Sequence, residues 1–269
     1  MTLYQAVHAA FVADSPAAKV ELTADLSAQF ASGNLSRDDS GTTAYPETPG
    51  LPSRIELVHP NRLKRRSPHT ENGRAILIHA IAHIEFNAIN LALDAVLRFR
   101  DMPDAFVADW LRVAEEEAMH FGLVSQRLQD YGYAYGDFPA HNGLWDVARQ
   151  SSHDVLERMA VVPRVLEARG LDVTPAMQQK LREAGDVQTC DILDTIFSDE
   201  IGHVATGTHW FEYLCRSREI DTLATFRDII QRYYGGALRG PFNHEARLKA
   251  GFGKIEMDML EALNRSPEQ

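Results

Sequence analysis

Glu117-Ala-Met-His120 and Glu200-Ile-Gly-His203 repeat one spacing, a carboxylate three residues ahead of an imidazole. Residues three apart share a face of an α-helix, so each pair can offer an oxygen and a nitrogen to the same ion. One Glu-x-x-His arises readily by chance. Two copies in apolar surroundings carry more weight, because a buried carboxylate and imidazole are costly unless paired or bound to metal. Phe121 and Val124 follow the first pair, and Ile201 and Val204 surround the second. A di-metal helical bundle adds one Glu from each of two further helices, which directs attention to the segments that precede each pair.

Before the first pair, Ile76, Ala80, Ile84, Ala88, Leu91 and Ala95 recur at spacings of three and four. That pattern predicts a long helix over 73–100 with these residues as its buried stripe. Glu85 is the acidic residue in its apolar middle. Before the second pair, Glu157 and Glu167 compete. At 100° per residue Val155, Met159, Val162 and Leu166 cluster on one side, with Glu157 about opposite and Glu167 at the edge. Glu85 to Glu117 spans 32 residues and Glu167 to Glu200 spans 33, against 43 from Glu157. The expected ligands are therefore Glu85, Glu117, His120, Glu167, Glu200 and His203, with Glu157 as the alternative to Glu167.

Helices dominate the rest of the chain, and the expected class is all-α. Ser15-Pro16 is an N-cap followed by a helix-starting proline, predicting a helix to about Gln29. Residues 32–69, rich in Gly, Pro, Ser and Thr, form an irregular segment wrapped over the helices. Further helices are expected at 104–131, up to Arg169 with Gly170 closing it, from Thr174-Pro175 onward, at 186–216, 221–234 and 245–263. The resulting division is 1–70, N-terminal helices and wrapping segment in the same globule, and 71–269, the metal-binding bundle with C-terminal helices. Pro163 either kinks the third long helix beside the metals or starts a new one.

Several neighbours invite a role at the site. His79 and His83 share a helix face and suit a substrate contact, an extra ligand or a structural part. Glu115 and Glu116 are expected to be solvated or to support Glu117, and Asp199 could orient a ligating histidine. Asn243 starts a helix, and His244 lies in a loop placed to cap a pocket.

Bulk composition narrows the function. The apolar share of 45% and charged share of 24% are those of a globular protein, and the net charge of −11 disfavours broad nucleic-acid binding. The basic run Arg62-Leu-Lys-Arg-Arg66 is short. No apolar run approaches a bilayer span, and the N-terminus lacks a basic start before its apolar stretch, so a cytoplasmic location without a membrane is expected. Cys190 and Cys215 are too few for a disulfide framework or thiolate site.

The stretches HAIAHIEFNAI (79–89), EEEAMHF (115–121), YGDFPAHNGLW (135–145), VVPRVLEARGLDVTP (161–175) and DEIGHVATGTHWF (199–211) resemble a ferritin-like family catalogued as domain of unknown function 455. The resemblance covers roughly Arg66 to the C-terminus, including RGPFNHEAR (239–247). It implies a ferritin-like four-helix core, with additional N- and C-terminal helices here, and a di-metal centre. More distantly the layout is similar to the non-haem di-iron hydroxylase that acts on a modified adenosine in tRNA. That pattern selects Glu85, Glu117 with His120, one third-helix Glu within VLEARGLD, and Glu200 with His203.

Mixed nitrogen and oxygen ligands suit two iron ions, a manganese/iron pair, or zinc. The expectation is an oxidoreductase using oxygen or peroxide on a small or nucleoside-like substrate, with an electron donor as partner. The alternatives are a tRNA-modifying hydroxylase, for which Arg54, Arg62 and Lys64-Arg65-Arg66 would supply the basic face, and metal handling without an organic substrate.

Overall fold

A computed structural model describes residues 1–38, 45–63, 67–236 and 238–264. Among these residues there is no strand, only the isolated bridges Thr2–Ser36 and Leu57–Ala140, and the fold is all-α. Lys64, Arg65 and Arg66 of the basic run lie outside the described residues. The chain divides into two compact units, Met1–Trp145 and Asp146–Gln269.

The first unit is built on a helical hairpin of α4 (Glu71–Arg98) and α5 (Asp104–Asp130). Thr70 caps α4 by accepting from the Gly73 amide at 3.1 Å. Three short helices, α1 (Leu3–Val12), α2 (Pro16–Thr23) and α3 (Leu26–Ala31), pack on the hairpin, α1 on α4 and the other two on α5. The helix expected from Pro16 to Gln29 is interrupted after Thr23. A long-range contact favours the restart: Glu115 on α5 accepts from the Ser27 amide at 2.7 Å, satisfying one of the free N–H groups that begin α3. Lys19 is buried and donates to the carbonyls of Ala10 and Phe11 at 3.0 and 2.7 Å, closing the C-terminal turn of α1.

Helix α4 corrects the expected stripe. Ala88, Leu91 and Ala95 are buried, but Ile76 is half-buried, Ala80 exposed and Ile84 50% exposed. A polar row, His79, His83, Asn87, Asn90 and Asp94, is buried instead. Apolar periodicity alone could not reveal this, because the polar residues follow the same helical spacing. The most apolar window of α4 has mean hydropathy 1.5 and is long enough to cross a membrane, yet 78% of it is buried within the protein, as in a core helix.

Beyond α6 (Gly143–Gln150), α7 (Val155–Val161) of the second unit runs through a π-helical turn (Val162–Glu167) into α8 (Ala168–Glu183), and α9 (Val187–Ser217) packs along all three. Pro163 thus neither ends the helix nor starts a new one. The turn widens around it, and the Ala168 amide reaches back five residues to the Pro163 carbonyl. Gly170 and Pro175, expected to end one helix and open the next, both lie inside α8. The unit is completed by α10 (Thr222–Tyr234), α11 (His244–Lys249) and α12 (Lys254–Asn264), so the single helix expected over 245–263 is two. Cys190 and Cys215 are buried free thiols.

Candidate metal centre

Within the first unit the α4/α5 hairpin brings Glu85, Glu117 and His120 together. The His120 Nδ1 lies 3.4 Å from an oxygen of Glu85 and 3.4 Å from one of Glu117. The three residues offer ligand atoms within 4.8 Å of one another, as a metal ion requires. All three are buried, Glu117 and His120 completely. Glu117 and His120 meet because they are one helical turn apart on α5. Glu85 reaches them from the long partner helix α4. Burial lowers the proton affinity of His120, but the Glu117 and Glu85 carboxylates outweigh it and push its pKa up to about 11. Two buried carboxylates closing on one imidazole is a charge arrangement that a cation relieves.

The second unit carries the other Glu-x-x-His on α9, with His203 Nδ1 3.8 Å from a Glu200 oxygen. His203 is buried and Glu200 half-buried. Glu167 is half-buried at the last position of the π turn. Its rival Glu157 is committed elsewhere: Arg232 and the Tyr233 hydroxyl donate to it, each at 2.5 Å, and His153 lies 3.1 Å away. Burial raises the Glu157 carboxyl, yet Tyr233 and Arg232 hold it below the usual range. The 100°-per-residue phase that favoured Glu167 assumed a regular α-helix, which the π turn is not. The ion cluster around Glu157 is a separate reason to set it apart.

The neighbouring residues take structural places. His83 shares hydrogen bonds with the Tyr135 hydroxyl at 2.8 Å, the His141 carbonyl at 3.1 Å and the Asn87 amide at 3.1 Å. His79 Nε2 accepts from the Gly136 amide at 2.9 Å. Both histidines fasten the 133–141 loop to α4. Burial lowers both pKa values to about 4, so the rings are neutral. The Tyr135 ring packs on Phe86 and Phe121, whose centroids lie 5.2 and 5.1 Å away. The aromatic residues of the loop mark it in the sequence, but nothing local shows that buried histidines are its anchors. Glu116 pairs with Arg112 at 3.0 Å, Asp199 is half-buried beside Glu200, and His244 is bonded to Glu261 at 2.9 Å.

Comparison with known proteins places the chain in a family. The chain belongs to the family described as "Protein of unknown function (DUF455)", which matches residues 12–258. It is 49% identical over 224 residues to a Haemophilus influenzae protein named "Uncharacterized protein", covering 81% of this chain and 76% of that one. No solved structure matches the chain.

Proposed function

We propose that this chain is a carboxylate-bridged di-iron oxidoreductase of ferritin-like type, using oxygen or peroxide on a small or nucleoside-like substrate. In this reading the metal ligands are Glu85, Glu117, His120, Glu167, Glu200 and His203. The carrying observation is the buried meeting of Glu85, Glu117 and His120. The same Glu-x-x-His recurs on α9, with a glutamate 33 residues before it, as Glu85 stands 32 before Glu117.

The donor set fits the metal. It holds carboxylates that can bridge two cations, one imidazole for each, and no thiolate, which suits iron or a manganese/iron pair and also accepts zinc. Two irons, when bound, would supply the electrons that reduce oxygen or peroxide. The chain's own part is to hold the ligands and exclude water from them. Complete burial of Glu117 and His120 keeps their ligand atoms away from bulk solvent. Holding a metal, His120 would give up the proton that the two carboxylates otherwise keep on its ring. An external electron donor completes the cycle. The buried free cysteines fit a reducing cytoplasmic setting.

The test is metal content per chain after purification without chelator, with Glu117→Ala and Glu200→Ala alongside. Close to two irons in the wild type, lost in both variants, supports the reading. A metal-free wild type, or zinc that neither substitution disturbs, overturns it.

A further inference from the structure

We infer that Arg164 is a positioning residue for the Glu167 carboxylate, acting through the π turn that holds both; the inference rests on the metal reading above. Arg164 is 1% exposed. Its guanidinium carbon lies 4.6, 4.2 and 4.8 Å from the ring centroids of Phe211, Phe226 and Phe252. These rings come from α9, from α10 and from the turn just before α12. The Nη2 group donates to the carboxylate of Glu256 on α12. Among the described residues the Nε and Nη1 groups have no hydrogen-bond partner.

This is a poor way to build a core for stability alone. A buried ion pair rarely outperforms apolar side chains of similar volume, and N–H groups left unsatisfied add to the cost. What the cation does achieve is a fixed register. It ties the third residue of the π turn to three separate elements, while Pro163 beside it packs against Gly207 of α9. A π turn carries one residue more than an α turn and persists only where its surroundings hold it. Relaxation to α-helical geometry would turn each later residue by roughly 100° relative to α7. Glu167 ends the turn, three residues after Arg164. The contacts that fix Arg164 therefore fix the direction in which Glu167 leaves the helix.

The test uses cobalt(II) as a spectroscopic probe, titrated into the full metal-free chain. Wild type is compared with Glu167→Gln, Arg164→Met, Arg164→Lys and Glu256→Gln, with circular dichroism and thermal melts for each. Arg164→Met and Glu256→Gln are expected to keep native helix content, to reproduce the altered spectrum of Glu167→Gln, and to weaken cobalt binding about 10-fold or more. Arg164→Lys, which keeps the charge, should recover part of the wild-type spectrum. Packing loss alone would lower the melting temperature and leave the spectrum of the folded protein unchanged. Wild-type spectrum and affinity in Arg164→Met overturn this inference while the metal reading stands; no effect of Glu167→Gln overturns it and also removes Glu167 from the ligand set. No cobalt binding by the wild type overturns both. If Arg164→Met fails to fold, Glu256→Gln and Arg164→Lys carry the comparison.

Discussion

The side-chain amide of Asn243 donates to the carbonyl of Leu171 at 3.1 Å, the carbonyl that Pro175 leaves without its helical partner. In a regular helix the amide of residue 175 would bond to residue 171, and proline has none. Asn243 thus completes α8 from 72 residues away. It also accepts from the Ala246 amide at 3.2 Å to cap α11, and its own amide donates to Asp172 at 2.9 Å. Arg247, one turn on, pairs with the same Asp172 through bonds of 2.9 and 2.7 Å.

Asn243→Ala should therefore cost more than an ordinary cap. We expect about 2 kcal/mol, roughly half from the lost cap and the rest from the stranded carbonyl. In a Pro175→Ala background Leu171 regains a backbone donor, so the same substitution should cost only the cap. A double-mutant cycle by urea unfolding measures the difference. Equal costs in both backgrounds would show that Asn243 does not serve the Leu171 carbonyl.

This contact also marks where local reading fails. Gly170 and Thr174-Pro175 are punctuation signals, and their message was overridden by Asn243, which no window around Pro175 contains. The same holds for Pro163, whose seat is made by Gly207 on another helix, and for His79 and His83 of α4, whose partners lie in the 133–141 loop. What was legible rested on short spacing within a single helix. Glu117 and His120 meet because they are three residues apart, and the long helices follow from their periodicity and caps. The joining of Glu85 to them needed only one hairpin, so the sequence could reach it.

Gly207 and Gly202 lie on the same helix and should respond oppositely to alanine. A Cβ at Gly207 would stand 2.2 Å from both Cβ and Cγ of Pro163, so one element must move. Gly207→Ala should destabilise by about 1–3 kcal/mol, more than the gain in helix propensity returns. At Gly202 a Cβ meets nothing within 4 Å among the described residues, and Gly202→Ala should stabilise the metal-free protein by about 0.5–1 kcal/mol. Thermal melts of the two variants decide it; a stabilised Gly207→Ala would mean that α9 and the π turn do not approach as described.

Asp154 sets a pH dependence. It receives two bonds of 2.7 Å from Arg218, joining the start of α7 to the end of α9, and accepts from the Leu156 amide at 2.8 Å. Burial raises its carboxyl, but Arg218 and that amide outweigh it and hold the pKa below the ordinary value. A carboxyl depressed in the folded state contributes stability that is complete above its unfolded pKa of about 3.9. The contribution is lost as the pH falls from there through the lower folded value. Asparagine keeps the cap and removes the charge, so Asp154→Asn should be less stable by roughly 1 kcal/mol at pH 7. That gap should narrow only below about pH 4. Urea titrations at pH 7, 5 and 3 test the sign; a gap that widens on acidification would contradict the assignment.

Glu157 and Glu167 separate structural work from the proposed metal work within one continuous helical run. Glu157 already holds Arg232, Tyr233 and His153, and a glutamine there weakens those contacts without touching the proposed ligand set. Arg232 and His153 are both mostly exposed, so the cost of Glu157→Gln should be about 1 kcal/mol, with metal content unchanged. Glu167→Gln should do the reverse, leaving the melting temperature of the metal-free protein within about 2–4 °C and lowering bound iron. Added iron(II) under anaerobic conditions should raise the melting temperature of wild type and Glu157→Gln, and raise that of Glu167→Gln less, because only ligands in the folded state convert binding into stability. Loss of iron in Glu157→Gln with retention in Glu167→Gln would exchange the two roles. It would also mean that the ion cluster around Glu157 opens when metal binds.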